Sequence, residues 1–250
     1  MKIGDDLSVS KQFCIISQPR SGSNHLISLL NTHPAIVCHG ELFHREVIYS
    51  KLLRWPELST AGKFVALLAR NIAPCRFLND HMSQSRDAWP RANVIGFKHF
   101  PFASRRILRY ISRSQTYEVM YLKRNNTVLQ YASDRAARKT NIWLSKAPRR
   151  PYGKAERVHF SMRDFSRYVV RLDHYDKVVR SALRDKSFLE ISYEDMDPLL
   201  PVIQERLGVK ALKLRSRMQK QGPDDWAERF SNPDCVLKAL ESTKFAVHLR

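Results

Sequence analysis

Apolar residues along the chain alternate between short continuous runs and stretches with helical spacing. Phe13-Cys14-Ile15-Ile16 is short enough for a buried strand, and the chain then passes through Pro19-Arg20-Ser21-Gly22-Ser23 into Leu26, Ile27, Leu29 and Leu30 at helical intervals. The pattern predicts a strand, a loop and a helix. The helix ends at Asn31-Thr32-His33-Pro34, because Pro34 disfavours the α conformation at His33. Further strands are expected at Ala35 to His39, Asn93 to Phe100, Tyr117 to Arg124 and Phe188 to Tyr193, with helices at Ser104 to Ser112 and Thr127 to Thr140. Ser161 with Asp164 reads as a capping box opening a helix whose stripe is Phe165, Tyr168, Val169, Leu172, Val179 and Leu183, expected to pack on the sheet. Asp197-Pro198 reads as the cap and first position of another helix, closed by Gly208. Between Arg45 and Pro90 the pattern is mixed and mostly helical, with Phe64-Val65-Ala66-Leu67-Leu68 expected as its core piece. Strands alternating with helices imply an α/β, P-loop-like three-layer fold with a central parallel β-sheet flanked by helices. Ligands in such sheets sit at the carboxyl ends of the strands, where Glu41, Lys98 and His99 are expected.

The length of 250 residues suits one domain over 1–250, with residues 1–11 a loose polar tail. Residues 141–159 carry Lys146, Arg149, Arg150, Lys154 and Arg157 against Glu156 alone, and read as a mobile basic loop. Forty-three Lys and Arg against 24 Asp and Glu give a formal charge of +19, so something acidic is expected nearby: nucleic acid, an anionic membrane surface or a polyanionic small molecule. The sequence holds no nucleic-acid-binding motif, and no nucleic acid is expected. Cys14, Cys38, Cys75 and Cys235 lie far apart, and neither a signal-peptide pattern nor an 18-residue apolar run is present. A cytoplasmic location is expected, with peripheral association at the inner face of the membrane left open. His25, His33, His39 and His44 fall on different predicted elements, so no metal site is expected.

A loop between a strand and a helix N-terminus turns backbone N–H groups and the positive end of the helix dipole towards one spot, where Arg20, Ser21 and Ser23 add side-chain donors. The spot suits a phosphate or sulfate. A triphosphate loop would read G-x-x-x-x-G-K-[ST] and use its last hydroxyl on Mg²⁺, and this loop has one glycine, no such lysine and Asn24 after Ser23. A phosphosulfate suits it better. A small-molecule kinase using ATP-Mg remains the rival enzyme, and a basic nucleic-acid-binding protein the rival of another class.

These motifs resemble the sulfotransferases that use 3′-phosphoadenosine 5′-phosphosulfate (PAPS), in particular bacterial carbohydrate sulfotransferases acting on trehalose or nodulation factors. Pro19-Arg20-Ser21-Gly22-Ser23 resembles the family's 5′-phosphosulfate loop, and Tyr121-Leu122-Lys123-Arg124 through Ser133 to Thr140-Asn141-Ile142-Trp143 its 3′-phosphate segment. Tyr193-Glu194-Asp195 and Lys220-Gln221-Gly222-Pro223 resemble its closing segments. The resemblance implies PAPS as donor, adenosine 3′,5′-bisphosphate (PAP) as product and no metal. It also implies donor binding by Arg20, Ser21, Gly22, Ser23, Asn24, Arg124, Ser133 and Lys220. Arg20 would lie by the bridging oxygen, and Glu41 would be the general base with His99 as second choice. Lys98 and His44 would face the acceptor, a carbohydrate or glycolipid, with an anionic one compatible with the charge. Asn24 stands where the family commonly has a hydroxyl residue and Asn141 where it has a glycine. Glu41 could instead simply pair with a nearby cation.

Overall fold

The computed structural model describes residues 11–143, 156–216, 218 and 222–249. Five strands, β1 (Lys11–Ser17), β2 (Ile36–Glu41), β3 (Val94–His99), β4 (Tyr117–Lys123) and β5 (Leu189–Ser192), form one sheet in the order β2-β3-β1-β4-β5. All pairings are parallel. The helices are α1 (Ser23–Leu30), α2 (Thr60–Ile72), α3 (Pro74–Ala88), α4 (Arg105–Arg113), α5 (Thr127–Thr140), α6 (Met162–Ala182), α7 (Met196–Leu207) and α8 (Pro233–Leu240).

β1 occupies the centre, which explains why its apolar run does not alternate with polar residues: both of its faces are covered. Phe13 and Ile15 pack with Leu26, Leu29 and Leu30 of α1 and with Ile203 and Leu207 of α7. Cys14 and Ile16 face the other way, onto Leu78 and Met82 of α3, Ile107 and Ile111 of α4 and Val179 of α6. The chain leaves β1 for the β2 edge and later returns past β1 to β4, so the loop after β1 lies where the strand order changes direction, the usual position of a ligand crevice.

Three expectations need correction. Only Ala66 and Leu67 of the Phe64–Leu68 segment pack on the core, whereas Phe64, Val65 and Leu68 are exposed, because α2 turns Arg70 inward instead. The first half of α6 does not lie on the sheet: Phe165 and Tyr168 join a separate cluster with Val128 and Tyr131 of α5 and Val236 and Leu240 of α8, and only the Val179 end reaches the sheet's helical layer. The α7 helix begins at Met196 after Asp195, placing Pro198 in its first turn, while Gly208 closes it with φ 73° as expected. Ser161 does cap α6, accepting a hydrogen bond from the Asp164 N–H at 3.4 Å. Lys11 already belongs to β1; residues 1–10 and 144–155, including Lys146, Arg149, Arg150 and Lys154, lie outside the described residues, as does Lys220.

Candidate active site

The loop leaving β1 is built by its own short contacts. Ser21 Oγ donates to the Gln18 carbonyl at 2.7 Å, and Gly22 takes φ 81° before α1 begins. A Cβ at Gly22 would stand 2.2 Å from Cδ2 of Tyr193, so the ring lies directly on the backbone and only glycine fits. No side chain caps the start of α1, which leaves its first turn facing the crevice. Arg20 has φ 59°, a left-handed conformation that costs a side-chain-bearing residue about 1 kcal/mol. Its side chain is held by Nε, which donates to Ser133 Oγ at 3.0 Å, and by Nη1, which donates to the Trp143 carbonyl at 2.8 Å. Gln130 Nε2 also donates to the Pro19 carbonyl at 2.7 Å. The two motifs, more than a hundred residues apart, are thus fastened together by α5. Asn141 ends α5 in the left-handed region, φ 56°, a conformation asparagine tolerates almost as glycine does.

Arg124 follows β4. Its guanidinium carbon lies 4.8 Å over the Tyr193 ring, and its Nε is buried without a hydrogen-bond partner among the described residues, 3.7 Å from Glu194 Oε1. Burial pushes this guanidinium below its ordinary range, with Tyr193 and Glu194 opposing. Glu194 is occupied in shaping the next turn, accepting from the N–H groups of Asn125 at 2.9 Å and Asn126 at 3.0 Å. Tyr168 of α6 completes this end. Its hydroxyl is buried and unpartnered among the described residues, pushed up by burial and then by Asp134, with Arg171, Arg124 and Arg20 opposing. A buried, under-bonded cluster of cations and hydroxyls is the environment in which a phosphate gains most.

On the β3 side of the loop, Lys98 Nζ meets Glu41 Oε1 at 2.7 Å and donates to Asn24 Oδ1 at 2.9 Å. Burial pushes the Lys98 ammonium down and Glu41 pulls it part of the way back. The position of Glu41 depends on an irregularity in β2: His39 pairs with Phe97, yet Glu41 pairs with Lys98, so the strand carries one extra residue at Gly40. A bulge of one residue reverses the side-chain alternation beyond it. His39 therefore points to the α3 face, while Glu41 points to the α1 face, beside the loop.

His99 goes the other way. It follows Lys98 in a regular strand, so it faces the opposite layer, where it is 1% exposed, its Nε2 bonds the Ser104 carbonyl at 3.1 Å, and its ring meets Phe43 and Phe97. Burial pushes it down to about 4. The structure does not bring His99 to the loop. His44, half-buried just past Glu41, packs its ring against Tyr49 at 5.3 Å. Arg20 to Asn24 run together in the loop, Lys98 joins Asn24 to Glu41 on one flank, and Ser133 is bonded to Arg20 on the other, with Arg124 reaching the loop through Tyr193.

Sequence reasoning missed Tyr168, Gln130 and the Gly40 bulge. Tyr168 lay on the apolar stripe of a predicted helix and read as core, and Gln130 carried no motif. Tyr193 was within a quoted motif, but only the fold shows its ring bracing Gly22 and Arg124 together.

Fold and loop define the class: a P-loop-like α/β protein whose loop at the carboxyl edge of the sheet carries Arg20, Ser21 and Ser23 at the start of α1. No protein-family model matches the chain. It is similar to Nodulation protein H of Rhizobium tropici, 25% identical over 230 residues, which cover 88% of this chain and 85% of that one. The sulfotransferase domain of the Synechococcus PCC 7002 olefin synthase is a structural neighbour at 15% identity and TM-score 0.48, covering 93% of this chain and 88% of the domain. The similarity to Nodulation protein H, spanning most of both chains, supports a bacterial sulfotransferase.

Proposed function

We propose that the protein transfers a sulfonate group from PAPS to a hydroxyl of a carbohydrate or glycolipid. One observation carries the reading: the loop's Arg20 is bonded to Ser133 at 3.0 Å, beside an Arg124 whose buried Nε lacks a hydrogen-bond partner among the described residues. The residues fit the donor, since a 3′-phosphate would satisfy Arg124, Ser133 and Tyr168, and a 5′-phosphosulfate would meet the N–H groups at the start of α1. Lys220 is proposed as a further 3′-phosphate ligand.

When bound, the donor supplies an activated sulfonate and a good leaving group. Arg20 and the loop N–H groups stabilise the negative charge that grows on the leaving phosphate oxygen. Glu41 accepts the proton of the attacking hydroxyl; Lys98 holds its Oε1 and leaves Oε2 for that hydroxyl. Positioning and electrostatics do most of the work, as in phosphoryl transfer. Tyr49 and His44, adjoining Glu41, form the near wall on the acceptor side. The resemblance to trehalose and nodulation-factor sulfotransferases and the similarity to Nodulation protein H support a carbohydrate-type acceptor.

The test is direct. PAP at saturating concentration should raise the melting temperature, whereas ATP-Mg should not. Arg124→Ala, removing a charge-assisted contact, should weaken PAP by about 10- to 100-fold. Equal stabilisation by both nucleotides, or unchanged PAP affinity in Arg20→Ala and Arg124→Ala, would reject the donor assignment.

A further inference from the structure

The α2 helix packs Ala66 and Leu67 inward and carries a second apolar face outward. Its exposed residues are Ala61, Phe64, Val65, Leu68, Ala69 and Ile72, with polar Thr60 and Asn71 towards its two ends and none charged. Phe64, Val65, Leu68 and Ile72 are 66, 62, 45 and 67% exposed. Its inward side instead buries Arg70, whose Nη1 donates to the His44 carbonyl at 2.6 Å and the Leu42 carbonyl at 3.4 Å, and whose Nη2 donates to the Arg45 carbonyl at 3.4 Å. A surface helix normally turns polar residues outward, and a contiguous apolar face of this kind marks a contact with something else. The arginine ties the helix to the segment that follows Glu41, so the apolar face is part of the rigid frame of the crevice.

What covers it is indicated by its surroundings. Arg45 and Arg106 line a cleft with Arg70, Asn71 and Pro74 at the end of α2, and Arg76 extends from the first turn of α3, 84% exposed, with a long 3.7 Å contact to Asp80. On α4, Arg105, Arg106 and Arg109 are exposed and the helix carries no acidic residue. A second copy of the chain would bring two bodies of formal charge +19 together through this region, a repulsion that an anionic surface converts into attraction. We infer that α2 is a membrane-docking face, inserting Phe64, Val65, Leu68 and Ile72 into the interfacial layer of an anionic bilayer while Arg45, Arg76 and Arg106 meet lipid headgroups. This inference stands independently of the donor and acceptor assignments.

The experiment is co-sedimentation of the purified full chain with phosphatidylcholine vesicles with and without phosphatidylglycerol. The wild type should partition onto the anionic vesicles and weaken as salt rises. Phe64→Ser/Leu68→Ser/Ile72→Ser should lower that partitioning by at least about tenfold, and Arg76→Ser/Arg106→Ser by about fivefold for each arginine removed. Both variants should melt as the wild type does and keep the same shift with PAP, because none of these side chains is buried. A wild type with no preference for anionic vesicles, or a triple-serine variant that binds as well, would overturn the proposal. So would a concentration-dependent dimer that the serine variant abolishes, since the face would then belong to a second copy.

Discussion

Gly22→Ala tests the joint between the two halves of the anion cradle. The new methyl group would lie 2.2 and 2.6 Å from Cδ2 and Cε2 of Tyr193, and the backbone would have to hold alanine at φ 81°. The left-handed conformation costs about 1–2 kcal/mol, and forcing the ring aside costs about 1–3 kcal/mol as overpacking. The sum, about 2–5 kcal/mol, corresponds to roughly 5–15 °C in melting temperature for a chain of this size. Because the same ring lies 4.8 Å beneath the Arg124 guanidinium, its displacement also carries that cation away, and PAP affinity should fall together with stability. Tyr193→Ala separates the terms. In that background the methyl group meets open space, only the backbone cost remains, and Gly22→Ala should be milder by about 1–3 kcal/mol. Urea unfolding and PAP titration of the four proteins measure the coupling. A coupling below about 0.5 kcal/mol, or a Gly22→Ala protein as stable as the wild type, would refute the close approach of Tyr193 to the loop.

Other predictions rest on different contacts. Glu41→Gln should keep its hydrogen bond from Lys98 and its PAP affinity while turnover falls by about 10²–10⁴; full activity would remove Glu41 from the base role. Lys98→Met leaves Glu41 and Asn24 without their buried cation and should cost about 3 kcal/mol or more in urea unfolding, and a change under about 1 kcal/mol would show that the pair is not desolvated. His39, His81 and His99 are held neutral by burial, pushed down to about 3, about 4 and about 4. The unfolded chain binds protons on them below about 6.5, so their contribution is complete above that pH and is lost as pH falls towards 4, by up to about 1.4 kcal/mol per unit per histidine. Urea midpoints at pH 7 and pH 5 should differ accordingly, and equal midpoints would contradict the burial.

Much of the sheet was legible because its inner strands, β1 and β3 above all, are buried on both faces and therefore appear as nearly unbroken apolar runs, bounded by turn residues. The anion loop was equally legible, since its glycine, hydroxyls and arginine are contiguous in the chain. α2 was misread for a physical reason: Phe64-Val65-Ala66-Leu67-Leu68 has the composition of a core, and nothing local reveals that a buried Arg70 reverses the helix. Tyr168 was hidden in the same way, an aromatic ring on an apolar stripe whose hydroxyl turns out to sense Asp134 and three arginines, Arg171, Arg124 and Arg20.

The sequence by itself determined the strands, the helices outside Arg45 to Pro90, the parallel succession of these elements, and the residue types gathered at the carboxyl ends of the strands. Which of those residues share a space was decided only by tertiary structure. Glu41 and His99 look equivalent in the chain, each at the end of an expected strand. The extra residue at Gly40 turns Glu41 onto the face of the loop, and the regular alternation of β3 turns His99 away from it. Side-chain direction in a strand has a period of two, so one bulge, invisible to composition and spacing, chooses between the two candidates.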